Sequence, residues 1–166
     1  MNALLLHPIA RESMWNLKDA ARILGAGATS PPLGLLTVAA MLPHAWSLRL
    51  IDLNVRPLDD ADLDWADLVF VGAMVCHRSS AEEFLARCRT AGKRVVAGGP
   101  LFTSRPEEYV SVDHLVLDEA ELTLPPFLAD LAAGRPGHVY RTTARPASSS
   151  RRSPAGTSST STTTCG

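Results

Sequence analysis

Residues 67–74 read DLVFVGAM, and this stretch decides the fold class. Its centre, Val69, Phe70 and Val71, is continuously apolar, whereas a strand with one face in water alternates apolar and polar residues. A short continuous apolar run is typical of a strand that is buried on both faces, as the inner strands of a parallel sheet are. We therefore predict a β-strand over residues 67–74 with helices packed on both sides of it.

Further strands and helices are predicted on either side of this run. Short apolar runs predict strands at residues 3–7, 47–52, 94–97 and 114–117, and helical patterns lie at residues 30–42, 80–91 and 124–133. The second helix begins with a capping-box sequence, SAEE at residues 80–83, and Cys88 lies on its apolar face as a small core residue. Thr123 is predicted to cap the third helix, with Pro125 and Pro126 in its first turn.

Strands that are separated by helices indicate an α/β fold with a parallel sheet. For five strands we predict the Rossmann-like or flavodoxin-like order 2-1-3-4-5, with helices on both faces. In such a sheet, ligands bind at the carboxyl ends of the strands. The candidate ligand loops are therefore residues 7–14, 75–79, 98–103 and 118–121.

Composition narrows the class of protein. The chain has 166 residues, of which 46% are hydrophobic and 20% charged, enough for one domain with an ordinary core. No apolar run reaches the length of about 18 residues that a membrane span needs, and the start lacks the pattern of a signal peptide, so we expect a cytoplasmic protein. The net charge of −1 without a basic stripe argues against a nucleic-acid partner.

The last 25 residues differ from the rest of the chain. Residues 142–166 contain 14 Ser or Thr, three Arg and no acidic residue, and no aliphatic side chain larger than alanine. Such a segment buries too little apolar surface to offset the entropy of folding. We predict a folded domain over residues 1–141 and a disordered Ser/Thr-rich tail over residues 142–166. The tail is either a native linker or the end of a truncated or misread reading frame.

Several cofactor classes do not match the candidate loops. The nearest match to a dinucleotide fingerprint, GAGATS at residues 25–30, lacks the third glycine and does not follow a strand. The third strand ends without the carboxylate of a phospho-receiver domain, the loop after the first strand has no hydroxyl for a flavin phosphate, and no P-loop is present. Cys76, Cys88 and Cys165 are too widely spaced for a zinc knuckle or an iron–sulfur cluster.

The paired glycines Gly98 and Gly99 follow the fourth strand directly. Two successive residues without a Cβ either let a bulky ligand lie against the backbone or form a tight turn before Pro100. Both explanations remain open from the sequence.

Five segments recur together in the order and spacing of a known family. They are PPLGLL at residues 31–36, LIDLNV at 50–55, ADLVF at 66–70, VVAGGP at 95–100 and LDEAE at 117–121. The set resembles the N-terminal cobalamin (B12)-binding domain of the B12-binding radical SAM proteins, over roughly residues 2–141. The resemblance implies a Rossmann-like module that holds cobalamin at the carboxyl edge. It also implies a following radical SAM barrel with S-adenosylmethionine and a [4Fe–4S] cluster, before which this chain is truncated.

The resemblance assigns residues to the cofactor. The cofactor-binding residues that it implies are Gly72, Met74, His77, Arg78, Gly98, Gly99, Pro100, Glu119 and Glu121. Asp118 stands where glycine is usual in the family, and the family's Asp-x-His-x-x-Gly motif is missing. We therefore expect no metal ligand from the protein, with His77 as the remaining candidate for cobalt.

Two classes of function follow. The leading hypothesis is the cobalamin-binding module of a methyltransferase-type B12-dependent radical SAM enzyme, which binds its cofactor and does not catalyse on its own. The alternative is a flavodoxin-like regulatory or interaction domain without a cofactor, or a non-functional truncated fragment.

Overall fold

The computed structural model describes residues 1–10 and 32–143. Six parallel strands form one sheet in the order β2-β1-β3-β4-β5-β6. They are β1 (Asn2–His7), β2 (Ser47–Asp52), β3 (Leu68–Gly72), β4 (Arg94–Gly98), β5 (His114–Val116) and β6 (Val139–Tyr140). The predicted parallel α/β sheet and its strand order are confirmed, and β6 adds a sixth strand to the predicted five.

Helices cover both faces of the sheet. They are α1 (Leu33–Met41), α2 (Asp60–Trp65), α3 (Arg78–Thr90), α4 (Pro100–Ser104) and α5 (Ala120–Ala132), with 3₁₀ turns at Val75–His77 and Pro106–Tyr109. The helix predicted over residues 30–42 begins only at Leu33, after Pro32. The short helices α2 and α4 were not predicted.

Two hydrophobic cores lie on opposite faces of the sheet. On one face, Val69 and Val71 of β3 pack with buried residues of α2, α3 and α4, which include Leu63, Phe84 and Phe102. On the other face, Leu68 and Phe70 of β3 pack with buried residues of α1 and α5, which include Leu35, Leu124 and Phe127. The continuous apolar run of β3 is thus explained by burial on both faces.

Helix α3 does not begin as predicted. It starts at Arg78, two residues before Ser80, and no side chain caps it. The Ser80 hydroxyl instead accepts a hydrogen bond from the backbone N–H of Ile9, at 3.1 Å. The capping-box prediction is wrong because the 3₁₀ turn Val75–His77 runs directly into the helix and displaces its start. The end is as predicted: Gly92 follows with a φ of +64°.

Helix α5 also begins earlier than predicted. It starts at Ala120, so Thr123 lies inside it and donates its hydroxyl to the carbonyl oxygen of Glu119, at 3.1 Å. Pro125 and Pro126 are therefore in the helix interior, where they cannot donate to carbonyls four residues earlier. Those carbonyls belong to exposed residues, 121 and 122, where water can replace the missing bonds.

Cys88 is fully buried in α3, as predicted, and burial raises the pKa of its thiol to about 12.

Among the described residues, no helix is long and apolar enough to cross a membrane. Within the same ranges, no group of three or more His, Cys, Asp or Glu side chains is arranged to hold a metal ion. The segment at residues 25–30, Cys165 and the predicted tail from residue 144 onward lie outside the described residues.

Candidate functional site

The carboxyl edge of the sheet gathers the loops that the topology assigns to a ligand. The described parts of these loops are residues 8–10 after β1, 73–77 after β3, 99 after β4 and 117–119 after β5. The start of α1 lies at the same edge, because a Cβ at Gly72 would approach the Leu35 side chain to 3.0 Å. Gly72, the last residue of β3, therefore lets α1 pack closely against the sheet.

The glycine pair at the end of β4 is explained by neighbouring backbone. A Cβ at Gly98 would lie 2.6 Å from the carbonyl oxygen of Val116, and a Cβ at Gly99 would lie 2.9 Å from that of Ala73. Gly99 also has a φ of +95°, a conformation that L-residues with a side chain rarely adopt. Of the two explanations left open by the sequence, the geometry supports a tight turn with close backbone packing before Pro100, which begins α4.

The turn after β5 is built around Asp118. This is the one non-glycine residue with a positive φ, 62°, in the described part of the chain. That conformation accounts for the glycine of the family pattern, and aspartate is among the few residues that tolerate it. The Asp118 N–H donates to the Thr103 hydroxyl at 3.0 Å, and its carboxylate accepts the N–H of Thr142 at 3.0 Å and lies 3.6 Å from Arg141. Its charge is therefore partnered.

Glu119 and Glu121 lie at the beginning of α5, next to this turn. Glu119 immediately precedes the helix, and Glu121 is an exposed residue of its first turn. The structure thus brings the predicted closing turn to the carboxyl edge, beside the end of β5.

His77 lies beneath the loop that follows β3. Only 5% of its surface is exposed, and its Nδ1 accepts the backbone N–H of Met74 at 3.1 Å. The His7 ring contacts it edge-on, with the ring centroids 4.8 Å apart. Burial lowers the pKa of both imidazoles, and the proximity of His7 lowers the pKa of His77 further, while Asp52 acts in the opposite direction.

This geometry does not fit a cobalt ligand. Because Nδ1 of His77 accepts a hydrogen bond, the proton of the neutral ring sits on Nε2. Coordination through Nε2 would require that proton to move to Nδ1, where it would face the N–H of Met74. The expectation that the protein supplies no metal ligand therefore stands as a prediction.

Arg78, the first residue of α3, is engaged by carboxylates. Its Nε lies 2.9 Å from the Glu82 carboxylate, and its Nη2 forms an ion pair with the Glu108 carboxylate. These carboxylates raise the pKa of the guanidinium. The predicted neighbour of a cofactor phosphate is thus already paired with two acidic side chains.

Exposed apolar side chains form the rim of this edge. Met74 is 56% exposed and Val75 is 61% exposed, and Ile9 and Leu33 are exposed as well. We call Ile9, Leu33, Met74 and Val75 the apolar rim. Of these four residues, the sequence analysis assigned only Met74 to the cofactor. Apolar residues in loops at a ligand-binding edge are the sequence signal that could have indicated the other three. An uncharged apolar rim suits a ligand with a broad apolar surface.

A concavity of about 390 Å³ lies between the loop after β2 and α3, and Ile9 of the apolar rim is among the residues that line it. Its two arginines, Arg56 and Arg87, are ion-paired with Asp62 and Asp60. Because these cations are already partnered, the loops after β1, β3, β4 and β5 are the stronger candidates for the functional site at the carboxyl edge.

Comparisons with known proteins match this chain to a family and to two relatives. The family model of the B12 binding domain matches residues 21–128. The chain is 37% identical over 148 residues to an uncharacterized methyltransferase of Synechocystis sp.. The aligned region covers 88% of this chain and 28% of that protein. It is 38% identical over 89 residues to the hopanoid C-2 methylase of Rhodopseudomonas palustris, which covers 54% of this chain and 17% of the methylase. No solved structure gives a significant match.

The chain therefore belongs to the B12-binding domain family, which its sequence segments had indicated. It spans less than a third of the length of these two relatives.

Proposed function

We propose that this chain is the cobalamin-binding module of a B12-dependent methyltransferase of the radical SAM type, and that it binds the cofactor at the carboxyl edge of the sheet. The observation that carries the proposal is the match of the B12 binding domain to residues 21–128. The names of the two relatives, a methyltransferase and a methylase, support the reaction class. The relatives are several times longer than the matched region, which leaves room in such an enzyme for a separate catalytic domain.

In this proposal, the apolar rim contacts the corrin ring, because Met74 and Val75 offer uncharged surface at the edge. Three turns border the nucleotide tail of cobalamin: the turn at Gly72, the turn at Gly98, Gly99 and Pro100, and the turn at Glu119 and Glu121. Cobalamin supplies the cobalt chemistry of methyl transfer. A [4Fe–4S] cluster and S-adenosylmethionine belong to a further domain, because the three cysteines here lack the spacing for a cluster, and this module alone binds without catalysing.

Replacing Val75 by aspartate is expected to weaken cobalamin binding at least about tenfold, equivalent to about 1.4 kcal/mol. The change puts a carboxylate where an apolar contact is proposed, and burying an unpaired charge is costly. The measurement is a titration with hydroxocobalamin, followed by its visible absorbance. Because Val75 is exposed in the free chain, the thermal midpoint without ligand should hardly change.

The matched control is Val110→Asp. Val110 is 70% exposed and is followed by Ser111, which bonds Arg89 in the last turn of α3, away from the carboxyl edge. This variant should bind cobalamin like the unaltered chain. Equal weakening by the two substitutions would contradict the proposed position of the site. Failure of the unaltered chain to bind cobalamin would favour the cofactor-free interaction domain.

A further inference from the structure

A buried histidine, His77, and a half-buried one, His7, join the loops at the candidate cofactor edge. His7 ends β1 and His77 ends the 3₁₀ turn after β3, and their rings meet edge-on at 4.8 Å with an angle of 84° between their planes. The proposed function uses neither ring as a ligand. The contact therefore calls for a different role, which the hydrogen bonds around His77 indicate.

His77 closes the loop that carries two members of the apolar rim. Its backbone N–H donates to the carbonyl oxygen of Met74 at 2.9 Å, and its Nδ1 accepts the N–H of Met74 at 3.1 Å. Met74 is thus bound through both of its backbone polar groups, while its side chain and that of Val75 remain exposed. The shape of this loop depends on a ring nitrogen that carries no proton.

Protonation of His77 would break this arrangement. A proton on Nδ1 would face the N–H of Met74, and the bond between them would be lost. The titratable and charged groups acting on the ring are His7, which disfavours its charge, and Asp52, which favours it. The Asp52 carboxylate already accepts two hydrogen bonds from Asn54, and the adjacent Arg78 is held by Glu82 and Glu108.

We propose that His77 is a positioning residue whose neutral ring, packed against His7, holds the rim loop in the shape that binds cobalamin, and that acid releases this loop and weakens cofactor binding. The inference rests on the proposed function for its ligand, but the change in the loop is a property of the free chain.

The direction of the pH effect follows from the lowered pKa values of both histidines. In the unfolded chain they take up protons near the ordinary value of 6.5, whereas in the folded chain they do so at lower pH. The stability of the neutral arrangement is thus complete above that value and is lost as the pH falls towards the folded pKa. Below the folded pKa of His77, affinity should fall about tenfold per pH unit if one proton is coupled to binding.

Three variants test the role of the ring. In His77→Asn the amide oxygen lies near the position of Nδ1 and cannot be protonated, so the variant should retain affinity at neutral pH and lose the acid dependence. His77→Ala has no acceptor and should bind weakly at every pH. His44→Gln, at an exposed histidine, should show the pH profile of the unaltered chain. Comparing the variants at each pH cancels the pH dependence of hydroxocobalamin itself.

A second readout needs no cofactor. The amide resonance of Met74 in the ligand-free chain should move on acidification with the titration of the His77 ring, and should not move in His77→Asn. If the Met74 resonance shifts with the titration of His77 but the chain does not bind cobalamin, the pH-dependent role of His77 is upheld and the proposed function is overturned. If acid weakens cobalamin binding equally in the unaltered chain and in His77→Asn, and the Met74 resonance does not respond to the His77 ring, the role of His77 is overturned and the proposed function is not.

Discussion

A methyl group added at Gly98 is expected to lower the free energy of unfolding by about 3 kcal/mol, the upper part of the range for overpacked positions. Its Cβ would lie 2.6 Å from the carbonyl oxygen of Val116, the residue that pairs with Gly98 across β4 and β5. Backbone that belongs to two paired inner strands cannot move aside as a side-chain tip can, so the two strands must separate locally. Urea denaturation of Gly98→Ala without ligand measures the effect.

Two other glycines provide matched controls for this clash. Gly92 has a φ of +64°, but an added methyl group would meet nothing within 4 Å, so Gly92→Ala should cost only the backbone strain of about 1–2 kcal/mol. Gly34, in α1, has open space and an ordinary φ, and Gly34→Ala should stabilise by about 0.5–1 kcal/mol. A loss at Gly98 no larger than that at Gly92 would contradict the explanation by backbone packing.

This result also bears on the use of glycine substitutions to test ligand binding. A leucine at Gly99 would combine a positive φ with a contact of 2.9 Å to the backbone of Ala73. This substitution should lower stability and cofactor affinity together, so a loss of binding would not distinguish a lost cofactor contact from a distorted fold. Val75→Asp changes the same edge at an exposed side chain and separates the two effects.

The fold could be predicted where sequence pattern and burial coincide. The apolar run of β3 and the bounds of β2 follow from local sequence, and parallel connections then fix the ligand edge. The starts of α3 and α5 could not be predicted, because Ser80 and Thr123 bind other backbone groups than those of a cap. β6 has two residues, too few for any periodicity.

The gathering of the candidate loops at one edge of the sheet was predictable from the topology, and the contacts within these loops were less so. Topology places Gly72, Gly98 and Asp118 at one edge, but the reason for each depends on a neighbouring element that is distant in sequence. The contact of Gly98 with Val116 is one example. The bond between His77 and Met74 is local, yet the choice of ring nitrogen depends on how the loop folds, and the contact with His7 depends on the sheet.

Removing the Asp62 carboxylate is expected to lower the free energy of unfolding by about 2–3 kcal/mol. Asp62 is 5% exposed and accepts bonds from Arg49 at 2.7 Å and Arg56 at 2.8 Å, together with the N–H of Asp59 at 3.2 Å. It thereby connects β2, the following loop and α2. The cost stays below that of a fully buried pair, because both arginines are partly exposed and water can reach them.

Asp60→Ala is the control for Asp62→Ala. The Asp60 side chain is 91% exposed and forms an ion pair with Arg87 at 2.7 Å, so its removal should cost less than about 0.5 kcal/mol. Urea denaturation at neutral pH compares the two variants, and equal losses would show that the buried cluster contributes no net stability.

The pH dependence of the Asp62 effect provides an independent test. The hydrogen bond from Arg56, the N–H of Asp59 and the bond from Arg49 hold the pKa of Asp62 well below its ordinary value of 3.8, against the opposing effect of burial. In the unfolded chain the carboxyl takes up its proton near that ordinary value. The stability that Asp62 contributes is therefore complete above it and declines as the pH falls towards the lower folded pKa. The difference in unfolding free energy between the unaltered chain and Asp62→Asn should stay constant from neutral pH to about pH 5 and shrink in stronger acid. A difference that already shrinks between pH 7 and 5 would contradict the assignment of this stability to the Asp62 carboxylate, because the titration of groups that both proteins share cancels in the comparison.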